Sequence, residues 1–130
     1  MSTEVSIENS AITAASEILS KINGDILFEH IFRKNTDWDE KLDARDSSDF
    51  DHAWSVSHEK VTSSCPPEDG PVKDVREAAY KKVYQITKHA DLAAYVSDDM
   101  GLIALAFKNR LDVEFINNLW KSYTQGEFPA

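Results

Sequence analysis

Asp49, Asp51, His52 and His58 are the residues whose types and spacing come nearest to chemistry. On a helix Asp49 and His52 stand three apart and Asp51 and His58 seven apart, so each pair shares a face. Carboxylate and imidazole on one helical face is a metal-ligand pattern. Helical di-iron proteins build theirs from Glu-x-x-His motifs on two helices plus two further glutamates. This chain has a single Asp-x-x-His and no partner motif. A metal-dependent helical enzyme using these four residues is one reading, and a solvated helix face with a titratable rim is the simpler one.

The other reactive side chains are scattered. Cys65, the only cysteine, precedes Pro66 in an expected loop, with neither a base nor an electropositive setting beside it. His30 lies between apolar positions and reads as a half-buried packing residue. His89 reads as a cation in the last turn of a helix, and His89-Ala-Asp91 is not a dyad of adjacent residues. Asp98 and Asp99 follow Ser97, where acids complement the first turn of a helix. The four glycines (Gly24, Gly70, Gly101, Gly126) are isolated, so no phosphate-cradling loop exists. Neither GxSxG nor HExxH occurs. A calcium loop begun at Asp37 meets Lys41 at its fifth position and no glycine at its sixth. The expectation is a non-enzymatic protein with no metal and no cofactor.

What stands out is charge. Between Asp37 and Asp51 lie seven acids (Asp37, Asp39, Glu40, Asp43, Asp46, Asp49, Asp51) against two bases, Lys41 and Arg45. Trp38 and Phe50 sit inside this block and Trp54 follows it. A dense, one-signed segment interleaved with large aromatics suits a partner rich in Lys and Arg, since aromatic anchors and charged rims are the parts of a recognition surface. The expected partner-binding residues are the seven acids with Trp38. The competing expectation is a solvated face.

Composition agrees. The 130 residues carry a net charge of −9, and residues 1–65 hold thirteen acids against six bases. That balance argues against direct nucleic-acid binding, which needs a basic stripe. It argues equally against anionic membranes. The chain length suits a single domain over residues 1–130. A lone cysteine, the absence of a signal-like N-terminus and the absence of a long apolar run point to a cytoplasmic protein.

The elements that must position these residues read as an all-α, compact bundle of about seven short helices. Ile7, Ala11, Ala15, Ile18, Leu19 and Ile22 predict a first helix stopped by Asn23-Gly24. Asp25 caps a second, carrying Phe28, Ile31 and Phe32. A third turn runs from Thr36 with Trp38 and Leu42. Ser48 caps a fourth segment with Phe50, Ala53, Trp54, Ser57 and Val61 on one stripe, although residues 54–57 also alternate like a short strand. Residues 63–71, with three prolines and a glycine, form a connection between two halves. Pro71 opens a helix with Val72, Val75, Ala79, Val83 and Ile86 inward and Tyr80 and Tyr84 stacked at its edge. Asp91 caps a short helix, Ser97 another, and Asp112 a final one with Phe115, Ile116, Leu119, Trp120 and Tyr123.

The function expected from these readings is protein binding, in its sharpest form an inhibitor of the immunity or antitoxin kind that neutralises a basic, nuclease-like partner through the acidic face. The alternatives are an adaptor or subunit that binds through the aromatic stripe of the last helix, and the metal-dependent enzyme already described.

Overall fold

The computed structural model describes residues 15–24, 26–68 and 70–130. The expectations placed on Ile7, Ala11 and Asp25 lie outside these residues. The described residues form seven helices and no strand: α1 (15–23), α2 (Ile26–Phe32), α3 (Trp38–Arg45), α4 (Ser48–Ser64), α5 (Gly70–Thr87), α6 (Ala90–Lys108) and α7 (Glu114–Thr124). The all-α class read from the sequence is the observed one.

Helix α6 is the centre. Twelve of its nineteen residues are buried, as expected of a helix surrounded by others. Its most extensive partner is α5, which presents Val72, Val75, Ala79 and Val83. Helix α7 adds Ile116, Leu119 and Tyr123, α2 adds Phe28, Ile31 and Phe32, and α1 adds Ile18 and Ile22. Burying each large side chain contributes roughly 1.5–3 kcal/mol. The chain then closes on itself: Phe128 packs against Phe32, Trp38 and Tyr123. Gly126, at φ +82°, makes the turn that allows this. The Glu127 amide reaches back to the Ser122 carbonyl at 2.9 Å, a left-handed helix ending that glycine adopts without steric penalty.

Several boundaries differ from those expected. Residues 54–57 lie inside α4; the strand-like alternation loses to the wider stripe, in which Ser57 and Val61 are buried one turn apart while Val56 is exposed. The helices expected to begin at Asp91 and Ser97 are one continuous α6. Its N-cap is His89, whose Nδ1 accepts the Leu92 amide at 3.2 Å. The Ser97 hydroxyl donates instead to the Arg76 carbonyl on α5 at 2.9 Å. Asp98 and Asp99 therefore stand mid-helix, not in a first turn. Ser48 is the first residue of α4 and Ser47 its cap position. Helix α7 is capped at Val113, and Asp112 accepts from the Asn117 side chain at 2.6 Å. The proline-rich connection is shorter than 63–71, because α4 runs to Ser64 and α5 begins at Gly70.

Candidate functional site

Helix α3 begins where Asp37 accepts the Glu40 amide at 3.2 Å, one of the free donors of a helix N-terminus. It is a thin amphipathic helix whose buried residues are Leu42 and Arg45. The chain turns at Asp46-Ser47 and re-enters helix at Ser48. This geometry exposes all seven acids of the block: Asp37, Asp39, Glu40, Asp43, Asp46, Asp49 and Asp51. Of the two bases, Lys41 is exposed with them. Arg45 is not. Its side chain is 4% exposed and points into the protein. The outer face is therefore more negative than the sequence count implies.

Arg45 is held by Asp99 of α6, itself 0% exposed, in a two-pronged pair at 2.6 and 2.7 Å. Such a fork is the strongest geometry open to guanidinium and carboxylate. Asp99 also accepts from the Trp54 indole at 2.9 Å and the Tyr123 hydroxyl at 2.7 Å. One buried carboxylate thus joins α3, α4, α6 and α7. The guanidinium lies 4.7 Å from the Phe50 ring centroid, 5.2 Å from Phe128 and 5.4 Å from Tyr95, within cation–π range. Burial by itself pulls Arg45 towards losing its proton; the hydrogen bonds and charge of Asp99 outweigh it and hold the group above its ordinary range. Burial, then the charge of Asp99, drives the Tyr123 phenol well above its usual value.

Two further bonds tie the acidic face to the core elements. The Tyr95 hydroxyl donates to Asp46 at 2.8 Å, which, with burial, raises the phenol. His89 lies 2.8 Å through Nε2 from Asp39. With Nδ1 accepting the Leu92 amide, Nε2 is the nitrogen that carries the proton and donates. His89 is thus an N-cap bridging to α3, not the last-turn cation expected. His30 is exposed, not half-buried.

Beside the Arg45 pair a cleft of about 170 Å³ opens. Buried Arg45 and half-buried Phe50, Trp54 and Tyr95 floor it. Exposed Asp46, Asp51 and Asp98 stand at its edge. Asp98 is already paired, 2.9 Å from Arg76. Trp38, the expected anchor, is half-buried against Phe32 and Phe128 at 5.4 and 6.0 Å. Phe50, by contrast, packs on Phe115 at 5.3 Å and also lines the cleft.

The alternative constellations do not assemble. Asp49, Asp51 and His52 are exposed, and His58 stacks on Trp54 at 5.2 Å. Among the described residues no three His, Cys, Asp or Glu side chains converge as a metal set. Cys65 is half-buried at the end of α4, and burial pushes its thiol up, away from a nucleophile's range. The aromatic stripe of α7 is turned inward: Leu119 and Tyr123 are buried, and half-buried Phe115 and Trp120 pack on Phe50 and Phe107. Among the described residues none of its aromatic side chains is fully exposed.

Sequence reasoning missed Arg45, Asp99, Tyr95 and Tyr123 as a unit. The signal was present: Arg45 follows Leu42 by three on the inward side of α3. Asp99 falls in phase with Leu92, Val96, Ile103 and Ala106. Two lone opposite charges in apolar stripes mark a buried pair.

Among the described residues no helix is long and apolar enough to cross a membrane. No curated protein matches the chain. A family model described as "Immunity protein PIM1" matches residues 17–130. The chain therefore belongs to the immunity protein PIM1 family, which makes it an immunity-type protein whose partner is a toxin.

Proposed function

We propose that this immunity protein acts in the cytoplasm as a non-enzymatic inhibitor, covering a basic, nuclease-like toxin with its acidic face. The single observation that carries the reading is the exposure of Asp37, Asp39, Glu40, Asp43, Asp46, Asp49 and Asp51 while Arg45 is withdrawn beneath them. A field of one sign attracts an oppositely charged partner from a distance and raises the association rate, which matters when the free partner is toxic. The Arg45–Asp99 pair holds α3 on the body of the protein, so the face meets its partner already ordered, without an entropic cost of assembly.

The test begins by capturing the toxin with tagged protein, identifying it by mass spectrometry and assaying it for nuclease activity. Association is then measured by stopped flow as salt is raised, for the native chain and for D39K/E40K/D43K. The expected result is a rate that falls with salt and is about tenfold or more slower in the triple variant at low salt. Its helical circular dichroism should be unchanged, with melting lowered only by the loss of the exposed Asp39–His89 contact. An unchanged rate in a folded triple variant overturns the proposal.

A further inference from the structure

The cleft beside α3 has the size and chemistry of a socket for one side chain of the partner, and we infer that this side chain is an arginine; the inference rests on the acidic-face reading above. At about 170 Å³ the cleft falls below the ~300–1,000 Å³ of small-molecule sites. It is of a scale for a single inserted side chain.

Its charges decide the sign of the occupant. Among the described residues the cation that lines it is Arg45, which gives both its Nη groups to Asp99 in a two-pronged pair while its buried Nε has no hydrogen-bond partner, and Asp98 is paired with Arg76. Asp46 accepts the neutral hydroxyl of Tyr95 and forms no ion pair among the described residues. Asp51 forms no ion pair among the described residues. Two carboxylates thus border an aromatic opening with no described cation assigned to them. Between them stand Phe50, Trp54 and Tyr95, rings whose negative faces favour cations. Phe50 and Tyr95 already serve one such group, since the Arg45 guanidinium lies over both.

Arginine fits better than lysine. Its planar, weakly hydrated guanidinium can rest on an aromatic wall while donating in a fork to carboxylates at the rim, whereas an ammonium keeps its water. Arginine is also among the residues that dominate interface energetics when seated in such pockets. The socket is preorganised, because the Tyr95 hydroxyl holds Asp46 and Asp99 holds the Trp54 indole.

The experiment titrates nitrogen-15-labelled protein with N-acetyl-argininamide, using N-acetyl-citrullinamide as its uncharged isostere and N-acetyl-lysinamide as the alternative cation. The arginine probe should give saturable shifts focused on the Trp54 indole and the amides of Asp46, Phe50, Asp51 and Tyr95. D51N, an exposed substitution that leaves the fold intact, should weaken the apparent affinity about two- to fivefold, the range for an exposed charge pair. An equal response to the citrulline or lysine probe, shifts centred elsewhere, or no effect of D51N would each overturn the assignment. Asp39, Glu40 and Asp43 do not line the cleft. The socket can therefore fail while the salt-dependent association of the acidic face survives, and the face can fail while the socket binds its probe.

Discussion

Replacing Asp99 with asparagine keeps the shape of the side chain and removes one charge from the centre of the protein. The native carboxylate is 0% exposed and accepts four hydrogen bonds, two from Arg45 and one each from Trp54 and Tyr123. The amide brings a donor to a place where every neighbour donates. It also leaves a guanidinium 4% exposed without a counter-charge, and the Nε of that guanidinium has no hydrogen-bond partner among the described residues. Removing one member of a buried pair costs about 3–5 kcal/mol, a large part of the roughly 5–15 kcal/mol that holds a domain folded. With urea slopes of about 1–3 kcal/mol per molar, the unfolding midpoint should fall by about 2 M, read by helical circular dichroism. Removing the stranded cation as well, in R45M/D99N, should recover at least about 1 kcal/mol, because methionine tolerates the aromatic surroundings that an unpaired guanidinium does not. A D99N variant that loses less than about 1 kcal/mol, or a cycle in which the two substitutions simply add, would refute the view that this pair anchors α3.

Two further outcomes follow from the same geometry. The folded state holds the Tyr123 and Tyr95 phenols above their ordinary values, while in the unfolded chain they ionise near pH ~10. The unfolded state therefore binds fewer protons above that pH. The contribution is fully present below pH ~10 and is lost as pH rises towards the folded values. Urea midpoints measured from pH 8 to 11 should fall with pH, less steeply in Y123F; an unchanged slope in Y123F counts against the buried phenol. In G126A, the new Cβ meets the His30 ring at 2.5 Å on a backbone at φ +82°. The loss should be about 1–3 kcal/mol, and adding H30A should relieve the steric part but not the backbone part, as thermal melts of the single and double variants would tell.

The sequence by itself determined the helical class, the inward stripes of α4, α5 and α7, and the Tyr80–Tyr84 stack, now seen at 6.3 Å. These rest on local periodicity and on residues whose backbone preferences act over a few positions. It also located the acidic block. Only the tertiary structure decided what lies beneath that block, because the pairing of Arg45 with Asp99 spans 54 residues and depends on α3 and α6 meeting. The same dependence misled the reading of Ser97. A serine followed by two aspartates looks like a helix start in isolation, yet the packing of α5 gives the hydroxyl a carbonyl to bind and lets α6 run on. Charge along a chain is local information. Whether a charged group faces water or a buried counter-ion is settled by which helices meet, and here it turns a block of seven acids and two bases into a face from which one of the bases has been withdrawn.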